Sequence, residues 1–571
     1  MGALRRESTW IVCACALGFA LPAMAGEDAE GARVAATRYA ALVEEASTLL
    51  GASAPASPSR SATPILNELN TLAGPSREGD LSQLTRYLER PDGDQSVHGT
   101  SHFLIHYDPS GSDAPTNEAY VLAAAEACER AWKVYHQEQG WPHPWPDDGA
   151  GDDDRIDVYI RDLGWGVYGY ALHEERARSG RLSGFMVVDN DYAGFDPIEP
   201  LQALQTTLAH EYHHLVQFRF GYDPEASWFM EQLATMEEGA VYPDIRLRER
   251  LLPAHFENPH RRFDLCNGTA EYATWLWPQY LADRWGWGLV IDAWFEWEET
   301  GIPMLEAIGQ ALGNRGSSLD EALVEWATWN VFLGARDDGD HYQSVSPDVG
   351  GMIPEGALNH FPVDRWHPQP MRQPECYGVN YVELRPQGGS ADNHVSLHLD
   401  LCRDVAAVRL VIWRGMSDVD VRAPSLAEWA TGVEVAGWHT VKRAWLVLVN
   451  GPDAQASCDY ALSVATSYRT ADVDPEDRLG AQLKLRGQPN PFEPFTVITF
   501  ELPAPQEMTL TVHDAEGRIV RTLLDGAVSA GSHGVYWNGD SHDGVRMAAG
   551  IYYARMRTPL GTRQLRLVRI R

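Results

Sequence analysis

The sequence predicts a multidomain protein in which an α+β domain precedes two all-β sandwich domains. The chain has 571 residues, and a single hydrophobic core stops growing at about 250 to 300 residues. Helical periodicity and short apolar runs alternate over residues 97–345, whereas short strand-like runs dominate from 358 to 470 and from 480 to 571. The preceding segment, 26–96, is helical in pattern and is either a propeptide or a simple extension.

The chain begins with a pattern typical of a secretory signal peptide. Arg5 and Arg6 precede an apolar run ending at Leu21, and Ala23-Met24-Ala25 supplies the small residues of a cleavage site. The apolar run is shorter than the roughly 20 residues that span a bilayer, which disfavours a membrane anchor. We therefore expect residues 1–25 to be removed on export and the mature chain to contain no transmembrane segment.

The charge balance disfavours a nucleic-acid binder. The chain has 46 Lys+Arg against 80 Asp+Glu, a formal net charge of -34, and binding to phosphates needs clustered cations. Hydrophobic residues make up 44% and charged residues 22%, which is the balance of a globular protein. We therefore expect no nucleic-acid partner.

One acidic run allows a second interpretation besides a turn. Carboxylates packed into a glycine-containing turn suit Ca²⁺, but the spacing matches no EF-hand, which favours a solvated turn ahead of a strand. The aspartates concerned are Asp147, Asp148, Asp152, Asp153 and Asp154.

The cysteines do not predict a thiolate metal site. Five of the seven lie beyond the predicted signal peptide, and none forms a CxxC pair. Cys402 and Cys458 fall in one β-rich segment, so we expect them to form a disulfide in an exported protein.

Two histidines four residues apart on a predicted helix form the main chemical motif. His210-Glu211-Tyr212-His213-His214 is an HExxH sequence, and positions i and i+4 share one helix face, so both imidazoles can bind one ion. Glu211 can then take a proton from zinc-activated water and pass it to the leaving amine. His213 lacks this register, and we expect it to lie beside the ligands.

A catalytic zinc site needs a third protein ligand and an open fourth position. We assign the third ligand to Glu231, on a second helix that Asp223 caps and Gly239 ends. Sixteen residues separate His214 from Glu231, enough for a turn and an antiparallel return. Two acids further along this helix are alternative third ligands, Glu237 and Glu238.

This arrangement resembles that of the gluzincin metallopeptidases, whose glutamate ligand lies in a W-x-x-E-G-x-A motif on the second helix. Trp228, Glu231 and Ala234 match the motif, whereas Gln232 replaces its glycine. The stretch from about 98 to 340 also resembles an uncharacterised family of predicted secreted bacterial metalloproteases. The resemblance implies a zincin-like metallopeptidase domain with Glu211 as catalytic base and Zn²⁺ held by His210, His214 and Glu231.

The expected function is zinc-dependent hydrolysis of peptide bonds in a protein or peptide substrate. A tyrosine or histidine often helps to stabilise the oxyanion of such a reaction, and Tyr272 is our candidate, with a packing role as its alternative. The alternative function is that of a non-catalytic adhesin or binding protein at the cell surface, because two β modules on a metallopeptidase scaffold would serve that role equally well.

The last ninety residues resemble the immunoglobulin-like sorting module of type IX secretion cargo, and also the flagellar hook-cap repeat. The resemblance rests on Pro489-Asn490-Pro491-Phe492, Trp537-Asn538-Gly539-Asp540 and Gly550-Ile551-Tyr552-Tyr553, whose turns separate strands of the length that a sandwich needs. It implies immunoglobulin-like sandwiches, a partner in the bacterial secretion machinery, and a secreted or surface-bound protein.

Overall fold

The computed structural model describes most of the chain beyond the predicted signal peptide, and the residues are 27–50, 61–73, 84–93, 96–164, 167–175, 181–195, 198–386, 394–401, 405–415, 418–424, 430–451, 458–467, 485–502, 505–515, 517–529, 531–558 and 561–570. They fall into two compact units. The first spans positions up to 255, with 264–319 and 342–346. The second comprises 256–263, 320–341 and the positions from 347 onward.

A five-stranded mixed sheet forms the centre of the first unit. In the order β1-β2-β3-β5-β4, its three middle strands run parallel and the two edge strands pair antiparallel. The middle strands are mostly apolar because both faces of the sheet are covered. The strands are β1 (Ser96–Gly99), β2 (Phe103–Tyr107), β3 (Ile156–Arg161), β4 (Gly169–Glu175) and β5 (Leu182–Asp189).

The N-terminal helices cover one face of this sheet. They are α1 (Glu27–Leu50), α2 (Thr63–Ala73) and the single turn α3 (Thr85–Leu88). Leu42 of α1 and Leu66 of α2 pack in one apolar cluster with residues of β4 and β5. The helical segment predicted at 26–96 therefore contributes to the core of the first unit.

The opposite face of the sheet carries α4 (Glu118–Trp132) and α5 (Pro200–Phe218). The next long helix is α6 (Ser227–Val241). Asn117 caps α4 by accepting a hydrogen bond from the Tyr120 amide, and α4 continues into a π-helical turn. Pro200 begins α5, which packs against β4 and β5, and α6 packs back against α5. The predicted helical pairing of the HExxH segment with the segment of Glu231 is therefore present.

The prediction that Gly239 ends the second helix is wrong. The helix α6 continues to Val241, and a Cβ atom at position 239 would collide with the guanidinium of Arg248. This arginine is buried and its Nη1 donates to Met236 O at 2.5 Å. Glycine at 239 therefore permits close packing of an arginine rather than a change of direction.

Further short helices follow α6, and their aromatic side chains form core. Trp275, Trp277 and Trp294 are fully buried. The helices are α7 (Leu252–Glu257), α8 (Ala270–Ala273), α9 (Leu276–Trp285), α10 (Trp287–Thr300), α11 (Met304–Gly313) and α12 (Leu319–Trp329).

The second unit contains a β-sandwich in which two sheets share one apolar core. The sheets have the orders β11-β10-β13-β8-β6 and β12-β9-β14-β7, and their inward side chains form a single buried cluster. The strands are β6 (Gly356–Leu358), β7 (Val363–Trp366), β8 (Val379–Leu384), β9 (His394–Asp400), β10 (Val405–Trp413), β11 (Val419–Arg422), β12 (Ala430–Ala436), β13 (Arg443–Asn450) and β14 (Ala461–Ser467).

A second sandwich ends the chain. Its sheets have the orders β15-β16-β19 and β18-β17-β20-β21 around a core that includes Phe492 and Trp537. The strands are β15 (Leu485–Gln488), β16 (Thr496–Leu502), β17 (Gln506–His513), β18 (Ile519–Val528), β19 (Gly531–Trp537), β20 (Gly550–Thr558) and β21 (Gly561–Arg569).

Some sequence predictions fall outside the described residues. These include residues 1–25 and Cys402, the expected partner of Cys458, which is itself disulfide-bonded. Of the helices that the structure describes, none combines the length and the apolar character that crossing a membrane requires.

Close contact between α5 and the sheet depends on two glycines. A Cβ atom at Gly184 would lie 2.9 Å from Leu215 Cδ2 and 2.5 Å from Leu172 O, and one at Gly169 would lie 2.7 Å from Thr207 Cγ2. Because the strand and the helix are this close, Thr207 and Glu211 of α5 lie directly beside Gly169 of β4.

Replacing Gly184 by alanine should therefore destabilise the first unit. Overpacking of a close-packed core typically costs about 1 to 3 kcal/mol, and this loss should appear in the free energy of unfolding measured with urea. Gly313→Ala is the matched control, because a Cβ there meets nothing within 4 Å and alanine favours a helix. Equal stability of the two variants would contradict the packing argument.

Candidate metal centre

Helices α5 and α6 bring together three side chains that could hold a metal ion. His210 Nε2 lies 3.1 Å from Glu231 Oε2, and His214 Nε2 lies 3.1 Å from Glu231 Oε1. One ligand atom from each residue lies within 4.8 Å of the other two. In the part of the chain that the structure describes, this is the group of His, Cys, Asp or Glu residues with such a geometry.

The donor set fits zinc. Zinc in proteins takes imidazole nitrogens and carboxylate oxygens, and a catalytic site has three protein ligands and one open position. The three side chains are almost fully buried, yet His214 Nε2 has no hydrogen-bond partner among the described residues. A buried imidazole nitrogen of this kind is suited to binding an ion.

The Nδ1 atoms of His210 and His214 both contact other side chains. Glu238 Oε1 lies 3.1 Å from His210 Nδ1, and Gln217 Oε1 lies 2.8 Å from His214 Nδ1. Gln217 is fixed in turn, because its Nε2 donates to Met230 O at 3.1 Å. Such contacts orient the Nε2 atoms toward a metal.

Neither alternative third ligand belongs to the group of three. Glu238, two helical turns after Glu231, contacts the outer side of His210. Glu237 Oε1 lies 3.6 Å from His213 Nε2, and Gln139 donates to the other carboxylate oxygen at 2.8 Å. Sequence reasoning missed the orienting role of Gln217, although its position three residues after His214 places it on the same helix face.

His213 lies beside the ligands, as its position in the motif predicts. Its ring packs edge-on against Tyr135 and Trp141, with ring centroids 5.2 and 4.9 Å away. Burial lowers the pKa of His213 well below its usual value. The side chain is therefore neutral and belongs to the packing around the site.

The charges of the ligand group are strongly coupled. Burial alone would raise the pKa of Glu231, but the imidazoles of His214 and His210 outweigh burial and hold that pKa at about 2. Burial alone would lower the pKa of His210, but hydrogen bonds to Glu231 and Glu238 raise it to about 10. At neutral pH the carboxylate is thus ionised and His210 is protonated.

Glu211 lies on the side of α5 that faces β4. Its Oε2 accepts a hydrogen bond of 2.8 Å from Thr63 Oγ1, whereas Oε1 has no partner among the described residues. Burial raises the pKa of Glu211. Thr63 lies 148 residues earlier in the chain, and no local sequence pattern could have connected the two.

Tyr272, the candidate oxyanion donor, is also close to the ligands. Its ring centroid lies 6.2 Å from that of His210, and its hydroxyl donates to Ser61 O at 3.5 Å. The structure thus brings together all five site residues that the sequence predicts, His210, Glu211, His214, Glu231 and Tyr272.

The acidic run is held by arginines. Arg90 Nη2 lies 2.9 Å from Asp147 Oδ2, and Arg155 Nη2 lies 2.7 Å from Asp153 Oδ2. Two of the five aspartates are thus paired with arginine side chains.

Comparison with protein families gives two matches. A family model described as "Family of unknown function (DUF6055)" matches residues 98–402, more than half of the chain. A second model, described as "FlgD Ig-like domain", matches residues 492–559 and confirms the expected immunoglobulin-like module related to the flagellar hook cap. Among curated proteins, none matches the sequence.

Two solved structures from Porphyromonas gingivalis are similar to parts of the chain. PorZ, a bacterial surface component of the type-IX secretion system, is 20% identical over 22% of this chain and 15% of its own, with a TM-score of 0.13. Dimeric latent PorU is 10% identical over 39% of this chain and 35% of its own, with a TM-score of 0.14. The matched part of this chain spans less than two thirds of the length of either protein.

The pKa of His210 leads to a prediction about metal binding. Coordination requires a neutral imidazole, so zinc should displace nearly one proton from His210 at pH 7, which lies below the pKa of about 10. Glu231, with its pKa of about 2, is already ionised and should release none. The apparent affinity should therefore rise with pH by about tenfold per unit between pH 7 and 9. Calorimetric titration in buffers of different ionisation enthalpy measures the released proton, and an affinity that does not change with pH would contradict the assignment.

Proposed function

We propose that this chain, which belongs to the family of unknown function DUF6055, is a zinc-dependent metallopeptidase. The observation that carries the proposal is the convergence of His210, His214 and Glu231 on one buried point. Glu211 directly follows His210 in the sequence. This supports a hydrolase because three protein ligands leave zinc an open position. An adjacent acid with a free oxygen can act as general base.

The roles of the side chains follow from their contacts. A bound zinc ion would supply a Lewis acid that acidifies water and polarises the scissile carbonyl. Glu211 Oε1 accepts a proton from the attacking water and delivers it to the leaving amine nitrogen. Glu238 and Gln217 keep the imidazoles oriented through their Nδ1 atoms. Tyr272 is the candidate donor to the carbonyl oxygen as it becomes negative.

We also propose that the protein is exported. The pattern of residues 1–25 is that of a secretory signal, and the module at 492–559 is of the FlgD immunoglobulin-like type. Both features support a secreted or surface-bound enzyme whose C-terminal domain engages the bacterial secretion machinery and whose substrate is a protein or peptide.

A single carboxyl-to-amide change tests the catalytic proposal. Glu211→Gln should lower the rate of casein cleavage by about 10²- to 10⁴-fold, because it removes the general base. The variant should still bind one zinc ion per chain, since Glu211 is not among the three ligands. Cleavage is followed with fluorescent casein and zinc by metal analysis.

The control is Glu225→Gln, an exposed acid just before α6, which should cleave at the wild-type rate. Zinc bound by the wild type with no cleavage under any condition would favour the alternative, a surface adhesin that keeps the metallopeptidase scaffold. Equal cleavage by the Glu211 and Glu225 variants would remove Glu211 from the mechanism.

A further inference from the structure

The zinc site is closed to a substrate. His210 is 3% exposed, Glu231 1%, and Glu211 and His214 0%. A peptide must reach both the ligand group and Glu211 to be hydrolysed. Some element of the chain therefore covers the site, and it has to move before a peptide can bind.

The segment of residues 61–70, which includes the start of α2, lies against Glu211 and Tyr272 of the site. Three of its first four residues make hydrogen bonds with side chains of the first unit, two of them with Glu211 and Tyr272 of the site. Thr63 Oγ1 donates to Glu211 Oε2 at 2.8 Å, Ser61 O accepts from the Tyr272 hydroxyl at 3.5 Å, and Pro64 O accepts from the Tyr222 hydroxyl at 3.3 Å. The segment thus contacts the proposed base and the proposed oxyanion donor together.

The same segment occupies the outer edge of β4. Ala62 N donates to Gly169 O at 3.2 Å, and the Ala171 amide donates to Thr63 Oγ1 at 2.8 Å. Asn67 completes the pairing, because its Nδ2 donates to Ala171 O at 2.8 Å and its Oδ1 accepts from His173 N at 2.9 Å. These backbone groups are the ones that an added strand would use.

We propose that residues 61–70 are an internal plug that keeps the zinc site of the intact chain latent. The plug occupies two positions that a substrate would need. One is beside the general base, and the other is along the edge of β4. Its departure frees Glu211 Oε2, the Tyr272 hydroxyl and the edge of β4 for an extended peptide. This inference rests on the proposed peptidase function, but the closure of the metal site can be tested without it.

An ion pair at the surface holds the plug in place. Arg38 of α1 contacts Glu68 of α2 through two hydrogen bonds, Nε to Oε1 and Nη2 to Oε2, both 2.7 Å. The Arg38 side chain is 53% exposed and the Glu68 side chain 16%, so replacing Arg38 leaves a mostly covered carboxylate without its cation. Reversal of this charge should loosen the plug without touching the zinc ligands or Glu211.

The test uses the zinc-loaded full-length chain and two readouts, the rate at which dipicolinate extracts zinc and the rate of casein cleavage. Arg38→Glu should increase both rates about two- to fivefold, the size expected for losing an ion pair at the surface. The double variant Arg38→Glu with Glu68→Arg should return both rates to the wild-type values. Arg315→Glu, which breaks the pair with Asp292, is the control and should change neither rate.

A second variant tests the plug at its buried side. Asn67→Ala leaves Ala171 O and the His173 amide without their partner, and water can satisfy them when the segment leaves. A buried group without its hydrogen bond destabilises the closed state enough to shift the opening equilibrium by roughly tenfold. The rates of zinc extraction and of casein cleavage should both rise by about that factor.

The outcomes separate the plug from the peptidase function. Faster zinc extraction in Arg38→Glu and Asn67→Ala, with no cleavage by any form, would support the plug and contradict the peptidase. Wild-type extraction rates in both variants would overturn the plug, whatever the cleavage rates. Slower cleavage with unchanged extraction would also overturn it, because the segment would then support the site rather than block it.

Discussion

The site depends on one buried carboxylate held between two imidazoles. Glu231 lies 3.1 Å from a nitrogen of His210 and 3.1 Å from a nitrogen of His214, and all three are removed from water. A buried charge without a partner would cost several kcal/mol, so α5 and α6 have to stay in register for the unit to keep this group. The cation that would best satisfy the arrangement is one that accepts nitrogen and oxygen ligands together.

The fold around this group serves to hold α5 in one place. Gly169 and Gly184 allow the helix to approach the sheet, and the Tyr135 hydroxyl binds Ala209 O at 2.8 Å beside the first ligand. The N-terminal helices close the other face of the sheet and carry Thr63 to Glu211. Strand β4 therefore has two roles. It packs against α5, and it lies beside the proposed site.

The convergence of the proposed ligands could be predicted from the sequence because it follows local rules. The spacing of His210 and His214 fixes a shared helix face, and Asp223 accepts from the Glu225 amide as a cap just ahead of α6. The contacts of Thr63 with Glu211 and with the Ala171 amide of β4 could not be predicted, since they join segments more than 100 residues apart. Gly239 misled the prediction because glycine serves close packing as well as helix ends.

The most direct test of this account is the position of the metal in crystals of the zinc-loaded chain, located by anomalous scattering at the zinc edge. The account predicts one ion about 2.0 to 2.2 Å from Nε2 of His210, Nε2 of His214 and a carboxylate oxygen of Glu231. An ion bound elsewhere, or a Glu231 carboxylate turned away from the two imidazoles, would contradict it.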